Sequence, residues 1–378
     1  MSDLDDERLA RATINLVTEP GDLRCLGLTR ELGGRRFLEV LREQPDLRPE
    51  LTAAAGRLAG VRPERVLEHA ARRGIRFVIP GDDEWPGSLD DLAGAGVLHA
   101  RGEVPVGLWV RGPVRLDRLG AAVAIVGSRS STGYGDQVAG EIAAVLGRAG
   151  RPVVSGAAIG VDYAAHRGAV SADAPTVAVL ACGVDRAYPL AHRQMLDHLA
   201  AHHAVVSEAP PGSAPFRIRF LSRNRIIAAL TRGTVVVEAA IRSGALNTAS
   251  WADQLHRTVM GVPGPVTSAA SEGVHELIRV GAATLVTRGE DVLELLGAAG
   301  EDLSDVARAP AGPRDRLSVR ARQVLDAVPV SSPAPTPSVA LVAGLGAEEV
   351  ERLLGGLLAD GHVERLPAGW RLPRRVGG

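Results

Sequence analysis

Lysine is absent from this sequence: all 43 basic side chains are arginine. Genomic base composition is the simplest cause, but the consequence is physical. Every contact to a phosphate then comes from a planar, forked guanidinium and none from an ammonium. Cysteine is almost absent as well. Cys25 and Cys182 stand far apart, which argues against a disulfide framework or a zinc knuckle and fits a reducing compartment. Aromatic residues make up only 3% of the chain, so the core must be packed mainly with Ala, Val and Leu. No apolar run approaches the ~18 residues needed to span a bilayer. The first ten residues carry Asp3, Asp5, Asp6 and Glu7, unlike a signal peptide. The expectation is a cytoplasmic protein without membrane contact. A dominant charge of one sign is lacking too: the net charge of −1 excludes a global polybasic attraction to nucleic acid. Any anion site must be a local patch.

What is present organises into three regions, as a chain of 378 residues suggests. Residues 1–74 read as helical throughout, with apolar positions at helical spacing around Phe37 to Leu41 and Val66-Leu67. From Ile75 short apolar strands appear: Ile75–Ile79, Val97–His99 and Leu108–Val110. Strands then alternate regularly with helices through Ala122–Val126, Pro152–Ser155, Thr176–Leu180, Ala204–Ser207, Thr234–Glu238, Thr258–Val262 and Thr284–Val286. That alternation predicts an α/β fold: a Rossmann-like parallel sheet over 75–297 with right-handed crossovers and helices on both faces. Ligands of such sheets lie beyond the carboxyl ends of the strands. Residues 298–316, rich in Ala, Gly, Pro and Asp, read as a linker. Residues 317–378 offer three helices and a hairpin, a winged-helix pattern. Its third helix carries Glu348, Glu349, Glu351 and Asp360 against Arg352 alone. Acid repels phosphate, so this domain is expected to contact protein or to serve structure rather than read duplex DNA.

Four segments carry chemistry. Gly127-Ser128-Arg129 follows the first strong strand and precedes a helix, where glycine permits close backbone approach, free N–H groups meet an anion and Arg129 adds a forked donor. The spacing of a dinucleotide fingerprint is absent. Ser155-Gly156 opens a second small-residue loop running to Asp162, a candidate cap, and His166 on the following helix reads as a structural histidine. The densest signal is Phe216-Arg217-Ile218-Arg219-Phe220-Leu221-Ser222-Arg223-Asn224-Arg225. Five arginines and no acid lie between Arg217 and Val237. Cations interleaved with phenylalanine suit a single strand, whose backbone needs charge and whose unstacked bases need a flat face. Last, Glu238 ends a strand before Arg242-Ser243-Gly244; it could serve as a catalytic carboxylate, but the favoured expectation is that it pairs with an arginine of the preceding segment. His198 and His202 share helical spacing, but no carboxylate or cysteine completes a set, so neither a metal nor another cofactor is expected.

Taken together and in order, these segments resemble the DNA-processing protein A family, DprA or Smf. The resemblance rests on the Gly-Ser-Arg loop, Ser155 to Asp162 with Ala165-His166 and Gly168-Ala169, Ala178 to Pro189, Ser207 to Gly212, Arg223 to Ala228, Val236 to Ala249 and Val262-Pro263-Gly264. It covers roughly Ile75 to Leu296, and the flanking helical (SAM- or HhH-like) and winged-helix (DML1-like) regions match that family's layout more loosely. It implies a non-enzymatic protein that binds single-stranded DNA and helps load RecA recombinase in DNA uptake and recombination, as a homodimer through the sheet domain. It points to Arg129, Arg217 or Arg219, Arg223 and Arg225 as DNA-holding residues. With the neighbouring loop positions, the candidate set is Gly127, Ser128, Arg129, Ser155, Gly156, Arg217, Arg219, Phe220, Arg223, Asn224, Arg225, Arg242, Ser243 and Gly244. The rival is a Rossmann-like nucleotide N-glycosidase of the lysine-decarboxylase-like type, which needs a catalytic Glu two residues after a Gly-Gly-x-Gly-Thr loop. Here Gly244 to Thr248 is followed by Ala249, Ser250 and Trp251, so that acid–base group is missing from its place.

Overall fold

The runs Val-Ala-Ile-Val and Thr-Val-Ala-Val-Leu are apolar at every position, as strands buried on both faces must be. Along the first of them Ala124 and Val126 enter one core and Val123 and Ile125 the core on the opposite face, following the two-residue period of a strand. The computed structural model describes residues 3–43, 49–298, 302 and 313–373. The expected linker 298–316 falls largely outside them. Met1–Ser304 and Asp305–Gly378 form two compact units.

The first unit begins with five helices, α1 (Asp3–Val17), α2 (Leu23–Leu32), α3 (Gly34–Glu43), α4 (Pro49–Leu58) and α5 (Pro63–Arg72). They enclose a core of their own around Ile14, Phe37 and Leu41. The α/β part follows as β1 (Ile75–Val78), β2 (Leu108–Arg111), β3 (Val123–Val126), α6 (Gly133–Arg148), β4 (Val153–Ser155), α7 (Val161–Ser171), β5 (Thr176–Leu180), α8 (Arg193–His202), β6 (Ala204–Ser207), α9 (Arg217–Ala229), β7 (Gly233–Val236), α10 (Gly244–Gln254), β8 (Thr258–Gly261), α11 (Glu272–Arg279), β9 (Thr284–Leu285) and α12 (Gly289–Leu296). The sheet order is β1-β2-β6-β5-β4-β3-β7-β8-β9. Only the pairs β1–β2 and β2–β6 are antiparallel. The chain winds outward from β3 to β6, then returns to lay β7 on the other side of β3, so the topological switch lies between β3 and β7. In a doubly wound sheet that is where a crevice opens beyond the carboxyl ends.

The expected strand Val97–His99 is instead a tight turn. His99 and Ala100 have φ of 52° and 58°, and Leu98 and Arg101 exchange backbone hydrogen bonds of 3.0 and 2.9 Å. Two successive left-handed residues define a hairpin turn of the primed type, invisible in a run of apolar letters.

His166 is structural, as expected. It is fully buried, with Nδ1 2.8 Å from Thr176 Oγ1. The Thr176 hydroxyl already donates to Val153 O, so Nδ1 must be the donor and Nε2 keeps an unpaired lone pair. Burial pushes its pKa down to about 3. The unfolded chain takes up that proton near pH 6.5 and the folded one does not, so the stability is present above pH 6.5 and is lost as pH falls toward 3. The slope is about 1.4 kcal/mol per pH unit for this one group. His166→Asn should flatten the acid limb by one proton in urea titrations at pH 7, 6 and 5; parallel limbs for both proteins would contradict this.

The second unit consists of α13 (Val319–Ala327), α14 (Thr336–Ala343), α15 (Ala347–Ala359) and the hairpin β10 (Glu364–Leu366) and β11 (Gly369–Arg371). Buried Trp370 joins the hairpin to the helices, donating from Nε1 to Thr336 Oγ1 at 3.0 Å. The second unit thus holds three helices and a two-stranded hairpin.

Candidate nucleic-acid interface

A cleft of about 1080 Å³ opens at the switch point. The loop after β3 supplies Gly127, Ser128 and Arg129, helix α9 supplies Arg217, Phe220, Arg223 and Asn224, and the turn into α10 supplies Arg242, Ser243 and Gly244. Candidate residues far apart in sequence thus meet in one place. Ser155, Gly156, Arg219 and Arg225 are not among the lining residues.

The arginine segment forms helix α9, and this sorts its side chains. Two residues along an α-helix amount to a rotation of about 200°, so each Arg-x-Arg pair sends its members to opposite sides. Arg217 and Arg223 reach the cleft; Arg219 and Arg225 turn away. Arg219 donates through Nε and Nη2 to Glu19, both at 2.8 Å, and through Nη1 to Ala214 O at 2.9 Å. Arg225 is fully buried in a forked pair with Glu208, both contacts at 2.7 Å, and also donates to the carbonyls of Glu103 and Ser222. These two candidates are corrected: their guanidiniums are committed to holding α9 against the sheet and the N-terminal helices.

Ser155 is corrected in the same way. It is fully buried and its Oγ donates to Ile125 O at 2.6 Å, tying β4 to β3. Gly156 acts through space rather than contact. A Cβ there would overlap the Arg223 guanidinium, with Nη2 at 2.6 Å. Gly127 has a related role, because a Cβ would stand 2.6 Å from Val161 Cγ2.

Arg223 is the electrostatic centre. It is nearly buried, and Nη1 donates to Val179 O at 2.9 Å. Burial pushes its pKa down to about 10, against the pull of Asp162 and helped by Arg129; it remains a cation at neutral pH. Asp162, expected as a helix cap, instead caps its own loop by accepting from Gly156 N at 3.1 Å and Ala158 N at 3.3 Å. Burial raises its pKa and Arg223 opposes that rise. It is the one carboxylate among the described residues lining the cleft, and it is buried.

Around Arg223 lie a further cation and two aromatic rings. The guanidinium carbons of Arg129 and Arg223 lie 4.8 and 5.9 Å from the Phe220 ring centre, within cation–π range. Tyr188, also lining the cleft, packs on Phe220 with centroids 5.6 Å apart. It belongs to the Ala178–Pro189 motif of the sequence but was not among the candidate residues. Asn224 donates to Asn247 Oδ1 at 3.0 Å and to Gly244 O at 3.2 Å, fixing α9 to the first turn of α10. Ser243 caps that helix by accepting from Ala245 N at 3.3 Å.

Glu238 departs from its expected arginine partner. It accepts from Thr132 N at 2.8 Å and Thr132 Oγ1 at 2.7 Å, closing the Gly-Ser-Arg loop against the start of α6. Placed as it is at a strand end, it stabilises loop shape. Among the described residues no group of His, Cys, Asp and Glu is disposed to hold a metal ion.

A doubly wound sheet with arginines and an aromatic pair at its switch point defines a Rossmann-like protein with an arginine-lined crevice. The comparisons with known proteins narrow that class. Residues 76–297 match the family described as DNA recombination-mediator protein A, and the chain belongs to that family. It is 42% identical over 380 residues to the putative DNA processing protein DprA of Mycobacterium tuberculosis (strain CDC 1551 / Oshkosh), covering 99% of this chain and 97% of that one. It is 38% identical over 212 residues to the DNA processing protein DprA of Streptococcus pneumoniae (strain ATCC BAA-255 / R6), covering 56% of this chain and 71% of the relative. Among solved structures, DprA from Streptococcus pneumoniae superposes with a TM-score of 0.62 at 30% identity over 76% of this chain and 96% of that one. DNA processing protein A from Helicobacter pylori, whose structure concerns its single-stranded DNA binding mode, superposes with a TM-score of 0.51 at 25% identity over 58% and 95%. The family that the motifs suggested is the family found.

Proposed function

We propose that this protein binds single-stranded DNA in the switch-point cleft and assists RecA loading during DNA uptake and recombination, without catalysing a reaction itself. One observation carries the reading: Arg129, Arg217, Arg223 and Arg242 line the cleft with Phe220 and Tyr188, and its one carboxylate is buried and capped by amides. Single strands bind where cations track the backbone and rings offer faces to unstacked bases. A duplex presents no free base faces and gains only the charge term. The RecA contact, a homodimer through the sheet domain and a cytoplasmic setting extend the reading along the family resemblance. In the first unit the N-terminal helices support α9, and in the second the acidic face of α15 suits a protein contact.

The test is fluorescence anisotropy of labelled oligo-dT against a duplex of equal length at several salt concentrations. Salt-sensitive binding that favours the single strand is expected. Arg129→Ala should weaken it by roughly 1.5–3 kcal/mol, the range for a hydrogen bond to a charged group, and reduce the salt slope by about 0.7. Arg129 is exposed and forms no ion pair among the described residues, so the fold should be unaffected. Equal affinity for both proteins would remove Arg129 from the site.

A further inference from the structure

A second basic groove lies on the same unit. It has a volume of about 760 Å³ and runs between α5 and the two loops that follow β5 and β6. Its cations are Arg62, Arg65, Arg72 and Arg73; its carboxylates are Glu68 and Asp185. Asp185 is already engaged, accepting from Arg73 Nη1 at 3.2 Å and from Gly212 N at 2.8 Å. Arg65 and Arg72 are exposed and make no hydrogen bond or ion pair among the described residues. They stand seven positions apart on α5, two helical turns, and so share a face.

What connects this groove to the cleft is covalent. Asp185 lines the groove and Tyr188 the cleft, on one loop; Pro211 and Gly212 line the groove and Pro215 and Arg217 the cleft, on the other. Three residues of chain span at most about 11 Å, so the rims are near neighbours at both crossings. That gap is on the order of three nucleotides even at stacked spacing. A strand held over Phe220 and Tyr188 can therefore pass from the cleft into this groove within a few nucleotides.

We propose that the α5 groove is a second backbone-binding site, which takes the phosphates of a single strand as it leaves the cleft past Tyr188 and Arg217. Arg65 and Arg72 are its principal phosphate contacts. The proposal rests on the reading of the cleft as a single-strand site and adds a length requirement to it: short strands fill the cleft alone, longer ones also engage α5.

The test compares the full-length protein with Arg65→Ala/Arg72→Ala on oligo-dT of about 6 and about 20 nucleotides, bracketing typical single-strand site sizes. Alanine favours helix, so α5 should persist, checked by circular dichroism. Arg148→Ala/Arg232→Ala is the control for lost charge. Arg148 ends α6 and Arg232 immediately precedes β7, at the amino-terminal end of the strands and so opposite the cleft. The expected result is unchanged affinity for the short strand, a loss of tenfold or more for the long strand, and a long-strand salt slope lower by about 1.4. The control should lose little at either length. Equal losses at both lengths, or no loss beyond the control, would overturn the proposal and leave the groove to an acidic protein partner. Failure of the wild-type protein to bind either strand would instead overturn the cleft reading itself.

Discussion

Glu208→Ala should destabilise the first unit by about 3–5 kcal/mol, the range for breaking a buried ion pair from one side. The Arg225 guanidinium is 0% exposed and its partner carboxylate 4%. With Glu208 removed, a cation stays buried with only the carbonyls of Glu103 and Ser222 to face it. Glu208 also accepts from Gly21 N at 3.3 Å, and its backbone carbonyl accepts from Asn15 Nδ2 at 2.8 Å. The pair therefore fastens α9, the end of β6 and the N-terminal helices at one point. Replacing both partners by apolar residues behaves differently, because no uncompensated charge remains. Glu208→Leu/Arg225→Met should recover most of the loss in a urea denaturation cycle. The same double variant separates structure from binding. Arg225 faces away from the cleft, so the double variant should bind oligo-dT as the unaltered protein does. A binding loss comparable to that of Arg129→Ala would return Arg225 to the DNA site.

Arg225 shows where sequence reasoning reached and where it stopped. An arginine-rich, acid-free stretch is a candidate for anion contact, and part of it lines the cleft. Which arginines serve it depends on the local period, and Arg-x-Arg-Phe-x-x-Arg-x-Arg reads equally well as an extended strand-like loop. The helix separates members of each pair by about 200°, and acids distant in sequence, Glu19 and Glu208, claim the two that face inward. Nothing in the local pattern names those partners. The parallel strands were readable because burial on both faces leaves only apolar residues. Thr176–Leu180 and Ala204–Ser207 begin and end where expected. Val97–His99 failed because a turn made of two left-handed non-glycine residues has no signal in composition. Glu238 lies two residues past the observed end of β7 at Val236, and it was given the wrong partner because the residue that returns to it, Thr132, stands more than a hundred positions earlier. The acidic third helix of residues 317–378 was readable too, and Ala347–Ala359 carries Glu348, Glu349 and Glu351.

Gly156→Ala is expected to disable the cleft through a side chain it never touches in the native protein. The new methyl group and the Arg223 guanidinium cannot occupy the same space. Arg223 must leave its seat, losing the 2.9 Å bond to Val179 O and leaving Asp162 buried without its cation. Overpacking and a lost charged hydrogen bond each amount to about 1–3 kcal/mol, and because they overlap here a total of about 2–4 kcal/mol is expected. Affinity for oligo-dT should fall about as far as in Arg223→Ala, since both variants remove the same cation from beside Phe220. The two changes must also be strongly non-additive. Once Arg223 is alanine the space beside Gly156 is vacant, so adding Gly156→Ala should then cost little stability and no further affinity. A Gly156→Ala penalty that persists undiminished in the Arg223→Ala background would mean that the glycine serves the loop's backbone and not the seat of the arginine.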